Sequence, residues 1–80
     1  METKFNEGIS LNIACKDQVE IDYYWNALTG GGGQESVCGW LKDKYGLSWQ
    51  VNPENMGDLI KKPGAFAKMM AMKKIVIADF

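Results

Sequence analysis

The sequence predicts a small domain of the α+β class, in which one sheet carries helices on one of its faces. Two observations lead to this prediction. Apolar and polar residues alternate over residues 9–15 and again over residues 47–52, as in half-buried strands. Between these segments, residues 21–28 carry an apolar stripe at helical spacing. Because 80 residues hold one domain at most, we expect residues 1–80 to form a single module.

The first strand is predicted over residues 9–15. Its apolar members occupy every second position: Ile9, Leu11, Ile13 and Cys15. Ser10 and Asn12 lie between them and therefore face the opposite side of the strand. The alternation predicts a sheet with one buried face and one polar face.

A helix is predicted to follow this strand and to run to about Leu28. Asp17 is a preferred N-cap residue, and Glu20 three positions later completes a pattern close to a capping box. Four apolar residues share one face of the helix: Ile21, Tyr24, Trp25 and Leu28. Gly30 is expected to end the helix, and the glycine run 30–33 lets the chain turn back across it.

A hairpin is predicted next, with strands over residues 37–42 and 47–52. Asp43 first and Gly46 last fit the type I turn between them. The second strand turns one set of residues to each side: Leu47, Trp49 and Val51 on the apolar side, and Ser48, Gln50 and Asn52 on the polar side. Pro53 is expected to stop this strand.

The C-terminal third predicts two short helical segments and a final strand. Residues 53–60 suggest a helical turn, and Pro63 is expected to open a second helix at its first position. The apolar run 75–77 is expected to form the last strand. The predicted order is therefore strand, helix, strand, strand, helix, strand.

Composition narrows the function classes. The net charge is −1 and no basic stripe is visible, so nucleic acid is not expected as a partner. The longest strongly apolar run, residues 75–78, is far too short to span a bilayer. The sequence has no histidine, so we expect no metal site and no cofactor. No signal peptide is visible, and Cys15 and Cys38 are interpreted as reduced, core-packed thiols of a cytoplasmic protein.

The polar face of the sheet is the candidate ligand site. It collects five residues from two strands: Ser10, Asn12, Ser48, Gln50 and Asn52. Such a face either lines a cup for a small polar ligand or is simply solvated, as in many antiparallel sheets. Trp25 and Trp49 are expected in the core, whereas Trp40 lines the cup or seals a subunit contact.

Two long segments carry a family resemblance: "ISLNIACKDQVEIDYYWNALTGGGGQESVCGWLKDKYGLSWQV" and, downstream, "AKMMAMKKIVIA". From about residue 5 to residue 78, the chain resembles the PhnB-like branch of the vicinal oxygen chelate superfamily, often labelled demethylubiquinone methyltransferase-like. That superfamily includes glyoxalase I, bleomycin-resistance proteins and extradiol dioxygenases.

The resemblance implies a βαβββ module, two of which normally lie side by side in one chain and curve around a cup. This chain resembles the second module only, and both a natural half-length protein and a fragment fit that observation. A half-module implies completion by a second copy, and we expect a homodimer or a larger assembly built from dimers. The terminal strand and the methionine-rich segment (Met69, Met70, Met72) are expected at its interface.

Two positions depart from the superfamily's metal-binding pattern. Ser10 lies where that pattern often has a histidine, and Gln50 lies where it often has a glutamate. The predicted ligand-binding residues are Gln50, Ser10, Asn12, Trp40 and Ser48. These features favour a non-catalytic module for small-molecule binding or assembly. The alternative is a metal-dependent enzyme of the superfamily, such as an isomerase, transferase or dioxygenase, with an altered metal site.

A methyltransferase activity has less support in the sequence. The glycine run follows a predicted helix and precedes a strand, which is the wrong context for a nucleotide-like cofactor. The identity of the catalytic residues, if any, is open at this stage.

Overall fold

A computed structural model describes residues 10–80 of the chain. The elements of this part are β1 (Ser10–Cys15), α1 (Gln18–Thr29), β2 (Gln34–Glu35), β3 (Trp40–Lys42), β4 (Ser48–Pro53), α2 (Met56–Leu59), α3 (Ala65–Met70) and a 3₁₀ turn (Ile77–Asp79). The first five elements have the βαβββ order that the resemblance implied. Ile9, at the start of the predicted first strand, lies outside the described residues.

The four strands form one mixed sheet in the order β1-β4-β3-β2. The outer strand β1 pairs with β4 in parallel, whereas β4, β3 and β2 pair in antiparallel fashion. Helix α1 connects β1 to the hairpin and packs across β4, β3 and β1. The fold is therefore a small α+β architecture in which α1 covers one face of the sheet. Side chains alternate between the two faces along each strand, so every second residue points to the opposite face.

The core lies between α1 and the sheet. Its buried members come from every part of the described chain: Cys15, Ile21, Trp25, Leu41, Val51 and Ile75. The helical stripe is confirmed, since Ile21 and Trp25 are buried and Tyr24 and Leu28 pack against the same cluster. Burial of a large aromatic and several aliphatic side chains is the main stabilising contribution available to so small a fold.

The start of α1 follows the predicted capping pattern. The carboxylate of Asp17 accepts a hydrogen bond from the backbone N–H of Glu20 at 2.9 Å. Glu20 in turn accepts from the N–H of Lys16 at 2.8 Å. Two backbone donors at the N-terminus are thus satisfied by side chains, which fixes where the helix begins.

The first strand of the hairpin is shorter than predicted. Residues 37–39 form a turn, and β3 begins only at Trp40. The backbone of Cys38 and Gly39 has φ angles of 57° and 82°, which a strand does not adopt. A Cβ on Gly39 would lie 2.8 Å from Asn52 Oδ1 and 3.0 Å from the carbonyl oxygen of Val51. The strand prediction was wrong here because the alternation of apolar and polar residues does not reveal that Gly39 lies close to β4.

The C-terminal prediction also needs correction. Helix α3 begins at Ala65, after Gly64, and not at Pro63. Residues 75–77 do not join the sheet, and Ile77–Asp79 forms a 3₁₀ turn instead. The N–H groups of the turn at residues 38–39 donate to the carbonyl oxygens of Met72 and Lys73, at 2.8 Å each. The segment therefore lies against the module's own turn, and Ile75 is buried in its own core.

Candidate functional site

Strand pairing arranges the polar side chains of the sheet in two rows, because residues opposite each other in a ladder point to the same face. The first, which we call the polar row, takes one residue from each strand: Ser10, Ser48, Lys42 and Gln34. The second, which we call the tryptophan row, comprises Asn12, Gln50 and Trp40. The five residues predicted from the sequence all belong to these two rows.

The link between the first strand and β4 is direct. Gln50 donates a hydrogen bond from Nε2 to the hydroxyl of Ser10 at 3.0 Å. Both residues are half-buried, whereas Asn12 is exposed beside them. The two side chains are therefore hydrogen-bonded to each other across β1 and β4.

A cleft of about 170 Å³ lies beside β2 and β3, at one side of the polar face of the sheet. We call it the polar cleft, and its lining residues are Gln34, Glu35, Ser36, Trp40, Leu41, Lys42 and Ser48. Of the predicted residues, Trp40 and Ser48 line this cleft. Ser10, Asn12 and Gln50 lie on the same face beside it, outside its lining.

Ser48 is the most unusual residue of the polar cleft. Its side chain is buried, with 1% of the residue exposed. The hydroxyl Oγ has no hydrogen-bond partner among residues 10–80. A buried hydroxyl without a partner costs free energy, commonly about 1–3 kcal/mol. Such a group would gain a partner if the surrounding side chains shifted and admitted a polar atom from the cleft.

Sequence reasoning missed Lys42 and Gln34. Lys42 lies two residues after Trp40 on one strand, so the period of two already placed both on one face. That signal was therefore present in the sequence. Gln34 belongs to β2, a two-residue strand that hydrophobic periodicity cannot detect.

The donor atoms on this face do not fit the metal that the superfamily implies. Divalent and transition metals favour carboxylate, imidazole or thiolate ligands, and the two candidate positions carry a hydroxyl and an amide that bind each other. Across residues 10–80, no three His, Cys, Asp or Glu side chains converge in a way that could hold a metal ion. The chemistry of these residues suits hydrogen bonding to a ligand.

The remaining tryptophans and thiols belong to other parts of the structure. Trp25 is buried against the sheet, and its indole Nε1 donates to Glu35 at 2.6 Å. Trp49 packs beside the core, half-buried. Burial raises the pKa of the Cys15 thiol, and the nearby carboxylates of Glu20 and Asp17 raise it further, so this thiol stays protonated.

Cys38 was expected in the core and is instead half-buried in the turn before β3. Its Sγ lies 3.5 Å from the Sδ of Met70. Neither cysteine forms a disulfide. This placement corrects the prediction for Cys38, because the positive φ angle places the residue outside the strand alternation that the prediction assumed.

In the described part of the chain, no helix has the length and apolar character needed to cross a bilayer. The longest helix there, α1, has 12 residues and carries charged side chains.

The βαβββ order and the mixed sheet with one helix-covered face are compatible with a half-module of the glyoxalase type. A comparison with protein-family models agrees with this class. The chain belongs to the 3-demethylubiquinone-9 3-methyltransferase family, whose model matches residues 1–52. This is a family of the glyoxalase superfamily and supports the PhnB-like resemblance. No curated protein matches the chain.

The matched segment contains both rows of the polar face, including all five predicted site residues. It ends within β4, so α2, α3 and the C-terminal segment lie beyond it.

Proposed function

We propose that residues 1–80 form one non-catalytic module that binds a small polar molecule on the polar face of its sheet. The observation that carries this proposal is the buried, unpartnered hydroxyl of Ser48 in the lining of the polar cleft. Trp40 adds a flat aromatic wall, and Lys42 and Gln34 add further hydrogen-bond donors. A few polar groups beside an aromatic surface are typical of small-molecule sites.

The size of the cleft supports completion by a second copy of the chain. Small-molecule sites usually have volumes of about 300–1,000 Å³, and the polar cleft has about 170 Å³. The face also carries Ser10, Asn12 and Gln50 beyond the cleft, where a facing subunit would add a wall. A homodimer with twofold symmetry is the simplest assembly that encloses this face. Free thiols at Cys15 and Cys38 favour a reducing compartment such as the cytoplasm.

Enzymatic activity of the superfamily's metal-dependent kind has no specific support. Serine and glutamine at the two candidate ligand positions bind each other, and neither is a strong ligand for a divalent metal. The family name denotes methyl transfer, but the glycine run lies between α1 and β2 and lacks the strand-to-helix context of a nucleotide cofactor site. We therefore do not extend that activity to this chain.

The test is a ligand screen by NMR, with the indole N–H signals of Trp40, Trp49 and Trp25 as reporters. A set of small acids, amides and alcohols is titrated at millimolar concentration. We expect shifts of the Trp40 signal and of the Ser48 amide, with smaller changes at Trp49 because its side chain lies on the other sheet face. The proposal fails if no member of the set perturbs Trp40.

Metal analysis separates the binding module from the enzyme. We expect no tightly bound transition metal in the purified protein and no stabilisation by divalent ions in thermal melts. A stoichiometric metal that is lost in Gln50→Ala would reverse this assignment and restore the metal-dependent enzyme.

A further inference from the structure

Three neighbouring side chains of the polar row can all donate hydrogen bonds. Lys42 is flanked in register by Ser48 on β4 and by Gln34 on β2. The three side chains end in an ammonium, a hydroxyl and an amide, all of which donate hydrogen bonds. A ligand that accepts several hydrogen bonds at once would satisfy all three.

Lys42 gives the polar row a positive charge. No carboxylate among residues 10–80 forms an ion pair with Lys42, whereas Lys61 and Lys74 pair with Asp58 and Asp22. Glu35 also lines the cleft, but it lies opposite Leu41 in the ladder, so its carboxylate is on the helix-covered face, where it accepts the indole hydrogen bond of Trp25 at 2.6 Å. The ammonium of Lys42 therefore has no charged partner within this part of the chain.

We propose that the polar cleft recognises a small organic carboxylate. The Lys42 ammonium supplies the charge, the Ser48 hydroxyl and the Gln34 amide donate to the carboxylate oxygens, and Trp40 contacts the carbon part of the ligand. This inference rests on the proposed function, because it takes the same cleft as the ligand site and names the class of molecule that fills it.

The cleft limits the size of that molecule. In one protomer its volume is about 170 Å³. One protomer can therefore enclose a carboxylate group with a few carbon atoms, and a facing subunit would surround the rest of the ligand. The buried Ser48 hydroxyl makes binding selective for an acceptor, since an apolar group there would leave the hydroxyl unpartnered.

The experiment compares malonate with its uncharged counterpart malonamide, using the Trp40 indole signal to measure each dissociation constant. We expect malonate to bind about tenfold more tightly than malonamide, since charge-assisted hydrogen bonds are stronger than neutral ones. In Lys42→Gln, malonate binding should weaken about tenfold and malonamide binding should stay the same. Inorganic phosphate tests whether any anion suffices, and we expect it to bind more weakly than malonate.

Two further variants complete the design. Lys44→Gln is the matched control, because Lys44 is exposed on the same hairpin and lies 5.2 Å from the Tyr45 ring, outside the cleft. Its malonate affinity should equal that of the parent protein. Ser48→Ala removes the buried hydroxyl without a change of charge and should weaken malonate binding severalfold. An unchanged NMR spectrum outside the cleft shows that each variant is folded.

The outcomes distinguish the two proposals. Equal binding of malonate and malonamide, tighter binding of phosphate, or no effect of Lys42→Gln would overturn the carboxylate class while leaving the cleft as a ligand site. If neither these probes nor the broader set of acids, amides and alcohols perturbs Trp40, both proposals fall.

Discussion

Asp43 organises the hairpin turn through several hydrogen bonds. Its Oδ1 accepts from the backbone N–H groups of Tyr45 and Leu47 at 2.9 and 3.0 Å, and its Oδ2 accepts from the indole of Trp49 at 2.9 Å. Partial burial opposes ionisation of this carboxyl, but the hydrogen bonds from Trp49, Leu47, Tyr45 and Gly46 outweigh it and lower the pKa of Asp43. The sequence had predicted the turn but not this role.

The first prediction concerns this carboxylate. Asp43→Asn keeps an oxygen for the turn but loses the charge and the second oxygen that binds Trp49, so we expect a loss of about 1 kcal/mol at neutral pH. A pKa that is lower in the folded state stabilises the protein above the ordinary aspartate pKa, and that stability is lost as the pH falls below about 4. The variant should show a shallower loss over this acidic range in urea denaturation.

Asp58→Asn is the matched control for this prediction. Its carboxylate is 83% exposed and lies 3.9 Å from Lys61, so stability should change little at any pH. An equal effect of the two substitutions would contradict the special role of Asp43.

The second prediction compares Trp25, which packs against one face of the sheet from α1, with Trp40, which belongs to the opposite face. Trp25 is 2% exposed in the core, whereas Trp40 is half-buried on the polar face. Trp25→Ala should cost about 3–5 kcal/mol, which approaches the whole stability of a small domain. Trp40→Ala should cost clearly less in chemical denaturation. Equal losses would argue against the packing described.

A third variant separates packing from hydrogen bonding at the same site. Trp25→Phe keeps an aromatic ring but removes the indole donor that binds Glu35 at 2.6 Å. We expect a loss intermediate between those of the parent protein and Trp25→Ala.

At the scale of elements, the C-terminal segment depends on the side chain of Gln18 at the start of α1. Its amide Nε2 donates to the carbonyl oxygen of Ile75 at 3.0 Å, and its Oε1 accepts from the N–H of Ile77 at 2.8 Å. Lys74 adds an ion pair with Asp22 at 2.9 Å. A single glutamine thus satisfies backbone groups of a segment that has no strand partner.

The third prediction follows from that contact. Gln18→Ala should destabilise the protein by about 1–3 kcal/mol, because two backbone groups lose their partner. Trypsin should then cleave the native protein faster after Lys73 and Lys74, as the segment opens locally. Asn26→Ala, on an exposed part of the same helix, should leave the cleavage rate unchanged. Unaltered cleavage in Gln18→Ala would contradict this account.

At the scale of the whole molecule, the fourth prediction is a homodimer. Within the described residues, β1 pairs with a strand on one side only, and exposed strand edges are commonly covered in proteins. Light scattering with size-exclusion chromatography should give about twice the chain mass of 8.9 kDa. Dilution should lower both the mass and the thermal stability together. A folded monomer at micromolar concentration would refute the dimer.

Part of the segment that the sequence predicts at this interface is buried within the protomer. Ile75 is buried in its own core, and Met69 and Met72 pack against the same cluster. Among the large hydrophobic side chains of α3, Phe66 and Met70 stay largely exposed, at 62% and 52%. We therefore expect the polar face and the edge of β1 at the interface, and substitution of Asn12, which is exposed on the polar face of that strand, by Glu should weaken the dimer more than Met70→Glu.

The sequence by itself determined the local elements whose signals are periodic or carried by caps. The alternation in β1 and β4, the stripe and N-cap of α1 and the turn after Asp43 all depend on neighbours in the chain, so pattern and propensity were enough. The same period of two brought Ser10, Asn12, Ser48 and Gln50 to one face. Even the family resemblance used residues in these elements.

Only the tertiary structure decided what depends on contacts between distant residues. The turn at Gly39 brings its backbone so close to β4 and Ile75 that a larger side chain would clash there. Residues 75–77 are hydrogen-bonded to the side chain of Gln18 and do not pair with a strand. The polar row is the clearest case, because Lys42 and Gln34 meet Ser48 only through strand register. The strand β2 has only two residues, which is too few to show a period of its own, so its register with β3 could not be inferred from the sequence.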